Sequence, residues 1–315
     1  LLSMIVFVIC GTDVKLLQRT FNVFPESLYP IMVGHEGVGE VVEVGAKVKG
    51  LKKGDKVLLP FVDADPEKLP GLGSGWGAMS EYAVVHDPLS YPEGEAPDCA
   101  YAQTALDEDL DPVDAAMIVT FREVLSNIRY FGIKPEDSVV VFGCGPVGLT
   151  YIKFLSLIGV TKLVACDILP AKLEQAKTYG ANYFINSKEQ DIAQIVREHN
   201  YGQGADVVID YTGNQYAIAG GFAALKKGGR FTFVGLGNGK IALDVNNDII
   251  YKEAQVNGVT GREMYKTWFD CERLIRSGRV DVQKIIGGRF KFSEFARAFE
   301  TIKSGAPGKM LLLPD

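Results

Sequence analysis

The chain has 315 residues, with 33 Lys and Arg against 39 Asp and Glu and a net charge of −6. That balance argues against nucleic acid or an anionic membrane as the partner, because both demand a basic face. With 47% hydrophobic and 23% charged residues the composition is that of a globular protein, and at roughly 150 residues per domain the length suggests about two domains. The 5 cysteines are odd in number and scattered (10, 99, 144, 166, 271), which argues against a disulfide framework and fits a reducing, cytoplasmic setting.

The first apolar run, residues 1–10, is broken only by Ser3. It falls well short of the ~20 residues of a membrane-spanning helix. It also lacks the basic leader and cleavage site of a signal peptide. Its β-branched content predicts a buried strand. The chain opens at Leu1 rather than Met, so the true N-terminus is expected upstream.

Up to about residue 91 the pattern is short strands broken by glycine, expected at residues 39–45, 54–60 and 81–85, which suggests a small β-barrel or sandwich. Residues 92–114 are acidic and poor in pattern, and their core, residues 107–114, reads as a solvated loop leading into a helix. From Ser138 the rhythm becomes strand, helix, strand. Strands are expected at residues 138–142, 162–166, 183–185, 206–209, 230–235 and 255–259. A helix at residues 149–158 ends at Gly159, and another opens at Pro170. Ser187 with Gln190 suggests a capping box for a third. Apolar strands alternating with helices predict a parallel, doubly wound α/β sheet.

Within this half, Gly143-Cys144-Gly145-Pro146-Val147-Gly148 is a GxGxxG that follows a strand and opens a helix. The first glycine permits the tight turn, the second admits a pyrophosphate, and the third lets helix pack on strand. Free N–H groups at the helix start then favour the phosphates. Asp167 ends the next strand, where a carboxylate accepts both ribose hydroxyls and repels a 2′-phosphate, selecting NAD over NADP. The alternative for Asp167 is a cap on the following helix. Residues 305–309, Gly-Ala-Pro-Gly-Lys, lack the spacing of a phosphate loop and precede a strand-like run.

The first half holds Cys10-Gly11-Thr12-Asp13 after the opening strand and Gly34-His35-Glu36 before the next. Thiolate, imidazole and carboxylate are the ligands of a catalytic zinc. Spacing alone leaves the alternatives open: a small buried Cys10, a hydrogen-bonded core His35 and a paired Glu36.

The succession Cys-Gly-Thr-Asp, Gly-His-Glu, Gly-Asp-Lys-Val, Gly-Cys-Gly-Pro-Val-Gly and a closing Gly-Lys-Met-Leu-Leu-Leu resembles the zinc-dependent medium-chain alcohol and polyol dehydrogenases. That group includes the sorbitol, threonine and secondary-alcohol dehydrogenases. The resemblance runs from residue 7 onward. It implies a mostly-β GroES-like catalytic domain (residues 1–121), a Rossmann domain that binds NAD (122–271) and a C-terminal return to the catalytic domain (272–315). By motif, Cys10, His35 and Glu36 would be metal ligands, Thr12 would pass the alcohol proton, and Asp13 would orient His35. Gly143, Gly145, Pro146, Val147, Gly148, Asp167 and Lys172 would hold NAD, with Thr212, Val234 and Gly235 on the nicotinamide side. The implied reaction is NAD-dependent, zinc-assisted oxidation of a secondary alcohol or polyol to a ketone by a homodimer or homotetramer. A substrate pocket is expected around Phe61, Trp76 and residues 92–114.

The chain departs from the family pattern at three places. Lys15 stands where many members carry the histidine that ends a proton relay. Val119 and Thr120 stand where a last metal-site side chain is expected after Ala115-Ala116, with Glu123 one turn further along. Cys99 alone lies between residues 60 and 114, so the four-cysteine structural-zinc lobe is absent. Two alternatives follow: a zinc-free reductase of an activated double bond or quinone, and a non-catalytic NAD-binding protein.

Overall fold

The computed structural model describes residues 1–21, 24–59, 73–74, 77–237, 240–261 and 267–315, so Phe61 and Trp76 lie outside the described residues. Two compact units emerge, Leu1–Thr120 with Trp268–Asp315, and Phe121–Thr267.

The opening apolar run forms β1 (Leu2–Ile9), and α1 (Gly11–Leu17) follows it directly. The chain then runs through β2 (Ile31–Met32), β3 (Gly37–Val41), β4 (Lys56–Leu59), β5 (Gly73–Ser74) and β6 (Tyr82–Ala83). The three strands expected here are shorter than the sequence suggests, with β4 beginning at Lys56 rather than residue 54. β6 pairs only with the start of β1, so only Tyr82 and Ala83 find partners. Past Val41 the chain leaves the ladder at the end of β1, with Val42 N–H reaching Leu1 O at 3.0 Å. The acidic stretch, poor in pattern as a sequence, still carries short elements ahead of the expected loop and helix. It contains α2 (Asp98–Ala102) and β7 (Thr104–Ala105), which pairs with β4, before α3 (Pro112–Ala116). Asp111 caps α3 through Val113 N–H at 2.8 Å, with Pro112 in the first turn. α4 (Ile118–Tyr130) then begins.

The second unit holds the strands β8 (Ser138–Phe142), β9 (Lys162–Asp167), β10 (Tyr183–Asn186), β11 (Ala205–Asp210), β12 (Leu225–Phe233) and β13 (Gln255–Gly258). Between them lie α5 (Pro146–Leu157), α6 (Pro170–Tyr179), α7 (Ile192–His199) and α8 (Gln215–Ala224). The sheet order is β10-β9-β8-β11-β12-β13, and every pairing is parallel. α5 packs with α6 and α7 with α8. Val140, Phe142, Val208, Phe222 and Phe231 lie fully or almost fully out of water at its centre, where each such side chain stabilises by about 1.5–3 kcal/mol. This is the expected Rossmann sheet, with one local difference. The predicted capping box at Ser187 does not form, because Gln190 Oε1 accepts from Asn186 N–H at 2.8 Å. Asp191 caps α7 instead, accepting from Gln194 N–H at 2.9 Å.

The remaining chain, α9 (Trp268–Arg276), β14 (Ile286–Lys291), α10 (Phe295–Lys303) and β15 (Lys309–Leu313), belongs to the first unit. Trp268 and Cys271, expected on the Rossmann side, pack as buried residues at the start of α9 in this unit. Among the described residues its main sheet runs β14-β15-β1-β3-β4-β7, with β6 on β1. β1 pairs antiparallel with both β15 and β3, matching Ile9 to Met310 and Phe7 to Gly37. The register therefore brings together three chain positions far apart in sequence: Cys10 after β1, Glu36 before β3 and Lys309 at the start of β15.

Candidate functional site

Cys10 Sγ, a His35 ring nitrogen and a Glu36 carboxylate oxygen all lie within 4.8 Å of one another. β1 ends at Ile9 and delivers Cys10 as the N-cap of α1. Val8 N–H bonds Glu36 O at 2.8 Å, which fixes the next segment beside it. Asp13 ties the two segments together from a fully buried position. Its Oδ2 accepts from Cys10 N–H at 2.8 Å, closing the first turn of α1. Its Oδ1 accepts from Gly34 N–H at 3.1 Å and lies 3.2 Å from His35 Nδ1. Gly34 adopts φ 102°, a left-handed conformation, and a Cβ there would lie 2.6 Å from Met79 N.

With Nδ1 turned to Asp13, His35 presents Nε2 toward Glu36, 4.0 Å from Oε1. Burial acts to lower the His35 pKa, but the Asp13 charge and hydrogen bond, with Cys10 beside the ring, hold it well above the usual value. Glu36 Oε2 accepts from Lys309 Nζ at 2.6 Å and Oε1 from the Thr120 hydroxyl at 3.1 Å. Burial also disfavours the Lys309 charge, yet Glu36, Cys10 and Asp13 outweigh it and raise its pKa. Zinc bonds of about 2.0–2.3 Å place neighbouring ligand atoms roughly 3–4 Å apart, so this soft-and-hard donor set fits one zinc ion.

Thr12 lies in the first turn of α1, with Oγ1 3.9 Å from Cys10 Sγ. Lys15 is one turn further along the same helix. Val119 is buried in α4, beside Thr120. Glu123 belongs to the second unit, where its charge acts on Tyr151. Lys309 and the role of Thr120 toward Glu36 escape sequence reading. The one signal is a lysine at the head of an otherwise apolar strand.

In the Rossmann unit the chain turns back between β8 and β11, and the ends of these strands flank the switch point where dinucleotides bind. Gly143 has φ 94° and donates from N–H to Cys166 O at 2.8 Å. A Cβ on Gly148 would lie 1.7 Å from Gly143 O, so helix and loop touch backbone to backbone. A Cβ on Gly145 would meet nothing within 4 Å, leaving open space before Pro146 and Val147 at the start of α5. Asp167, at the end of β9, accepts from Cys144 N–H at 2.8 Å through Oδ2 and from Leu169 N–H at 3.0 Å through Oδ1. The helix cap is Leu169, so Asp167 braces the glycine loop and keeps lone pairs for further donors. Lys172 lies in the first turn of α6, close enough for its charge to act on Cys144.

At the end of β11 the fully buried Asp210, absent from the sequence reading, organises the next loop. Its Oδ1 accepts from the Thr212 hydroxyl at 2.6 Å and from Thr212 N–H at 3.0 Å, and Oδ2 accepts from Gly213 N–H at 3.0 Å. Burial raises the Asp210 pKa against these bonds. A Cβ on Gly235 would lie 2.4 Å from the Tyr211 carbonyl carbon, so this loop packs directly on the one after β12. A cavity of about 340 Å³ opens there, lined by Val234, Gly235, Leu236, Gly258 and Thr260 among others.

Comparison with known proteins bears on both sites. Residues 1–92 match the alcohol dehydrogenase GroES-like domain, and residues 146–277 match the zinc-binding dehydrogenase family. The L-threonine 3-dehydrogenase of Pyrococcus abyssi is 31% identical over 333 residues, covering 99% of this chain and 90% of its own length. That of Caldanaerobacter subterraneus is also 31% identical, covering 97% and 88%. Among solved structures, the 2R,3R-butanediol dehydrogenase of Bacillus subtilis superposes with a TM-score of 0.81 at 25% identity, covering 100% of this chain and 92% of that one. The chain belongs to the zinc-dependent medium-chain alcohol dehydrogenase family. It is an oxidoreductase of the alcohol and polyol dehydrogenase class. Among the described residues, no helix is long and apolar enough to cross a membrane.

Proposed function

We propose that the protein oxidises a secondary alcohol or polyol to a ketone, with NAD as hydride acceptor and with zinc held by Cys10, His35 and Glu36. The convergence of the three donor atoms within 4.8 Å carries this reading. Bound there, zinc supplies Lewis-acid polarisation of the substrate hydroxyl. Asp13 fixes His35 by its Nδ1, which turns Nε2 toward Glu36 and the donor cluster. The Thr12 hydroxyl, beside Cys10, takes the alcohol proton outward. Gly143, Gly145, Pro146, Val147 and Gly148 receive the pyrophosphate, and Asp167 with Lys172 takes the adenosine ribose. Val234 and Gly235 line the cavity, Gly235 packs on the backbone of Thr212, and these three residues serve the nicotinamide.

Asp167 supports NAD over NADP, because a buried carboxylate already held by two N–H groups repels a ribose phosphate. The names of the relatives support the substrate class: threonine and 2,3-butanediol each carry a secondary hydroxyl beside a second polar group. A homodimer or homotetramer goes with β13, an edge strand among the described residues, where Val256 is 40% exposed. Cytoplasmic residence goes with five cysteines that are all thiols. Turnover of an alcohol panel with NAD tests the proposal. Cys10→Ser should abolish it while NAD affinity stays within about twofold, and unchanged turnover would sink the zinc mechanism. Asp167→Ala should weaken NAD and narrow its advantage over NADP, and an unaffected preference would refute the ribose assignment.

A further inference from the structure

Glu36 uses its two carboxylate oxygens differently. Oε2 is held by the Lys309 ammonium at 2.6 Å. Oε1 lies on the side of the donor cluster, 4.0 Å from His35 Nε2, and the Thr120 hydroxyl donates to it at 3.1 Å. Glu36 and Thr120 are each 4% exposed and Lys309 3%, so water does not substitute readily for either bond. Thr120 reaches this place from the first turn of α4. Among the described residues no other Cys, His, Asp or Glu joins Cys10, His35 and Glu36. A three-donor centre depends heavily on where its one carboxylate points.

We infer that Thr120 is a positioning residue for the metal centre: its hydroxyl holds Glu36 Oε1 toward Cys10 and His35. The inference rests on the reading of those three residues as zinc ligands. A carboxylate oxygen has two lone pairs, so Oε1 accepts from Thr120 and still offers an electron pair to a cation. Without the hydroxyl, Lys309 is the strongest remaining partner of Glu36, and its pull on Oε2 is no longer balanced at Oε1.

Cobalt(II) is the probe, because its visible absorption reports ligand geometry independently of turnover. Metal-free wild type, Thr120→Val and Thr120→Ser are titrated against a chromophoric chelator. Thr120→Val keeps the shape but not the donor, so it should bind cobalt about 10- to 100-fold more weakly, with altered d–d bands. Thr120→Ser should keep wild-type affinity and spectrum. In a Glu36→Gln background the Val substitution should change nothing further. That cycle also separates the hydroxyl from any general loss of fold, as do the thermal midpoints of the metal-free variants. Equal affinity and spectrum in wild type and Thr120→Val would overturn the role of Thr120 while leaving the ligand set standing. Cobalt binding that survives Cys10→Ser undiminished, or a wild type that binds none, would overturn the ligand set and this inference with it.

Discussion

Lys309 Nζ lies 2.6 Å from Glu36 Oε2, and the two side chains are only 3% and 4% exposed. In the metal-free protein this ammonium compensates a carboxylate that cannot be solvated. Removing it strands the charge, at a cost of about 3–5 kcal/mol. Lys309→Met should therefore lose about that much stability in urea unfolding of metal-free protein. Adding Glu36→Gln should recover much of the loss, because neither partner is then charged. A double variant as unstable as the single one would show that Lys309 matters for packing rather than charge.

Two glycines in one loop should behave in opposite ways. Gly148→Ala places a methyl 1.7 Å from Gly143 O, so it should destabilise the Rossmann unit by more than about 3 kcal/mol. At Gly145, φ −71° suits any residue and the new methyl meets no protein atom within 4 Å. Gly145→Ala should change stability by less than about 0.5 kcal/mol, yet weaken NAD at least tenfold by blocking the pyrophosphate. Calorimetry of both variants, with and without NAD, reads the two effects separately. Full NAD affinity in Gly145→Ala would place the pyrophosphate elsewhere.

Acid should uncover a structural carboxylate in the first unit. Asp87 accepts from Lys49 N–H at 2.7 Å, Gly50 N–H at 2.8 Å, Leu89 N–H at 3.0 Å and the Ser90 hydroxyl at 2.7 Å. Burial pushes its pKa up, but these four donors win and hold it at about 2. A depressed carboxylate pKa stabilises the fold above the unfolded value of about 3.9, and that contribution is lost as pH falls toward 2. Asp87→Ala should cost about 2 kcal/mol at pH 7. The gap to wild type should shrink below about pH 4, as unfolding curves at pH 7, 5 and 3 would show. A constant gap would assign the effect to shape rather than to charge.

The Rossmann half was the more legible in sequence. Residues 139–142 and 207–209 are apolar runs buried on both faces, so local pattern and tertiary environment agree. The start of α7 was missed because Gln190 chose a backbone donor, Asn186 N–H, that only the folded turn offers. In the first unit β6 and β7 are two-residue strands held by their partners β1 and β4, with no periodicity to read. Cys10, His35, Glu36 and Asp13 were legible as residue types in motifs. Their mutual distances depend on the pairing of β1 with β3. In the sequence Lys309 is legible only as the head of a closing apolar strand. Its burial against Glu36 follows from the register of β15 on β1, which relates positions some three hundred residues apart in sequence. Thr120 stood out only as a departure from the family pattern, and its hydrogen bond to Glu36 gives that departure a physical meaning.

Cys10, His35 and Glu36 make up the proposed zinc site. Its most direct test is metal content per chain, measured by elemental analysis on protein purified without chelator. Wild type should carry about one zinc per chain, lost in Cys10→Ser, with NAD binding retained in both. Folded wild-type protein that binds NAD but carries no zinc, and takes none up when zinc is supplied, would contradict it.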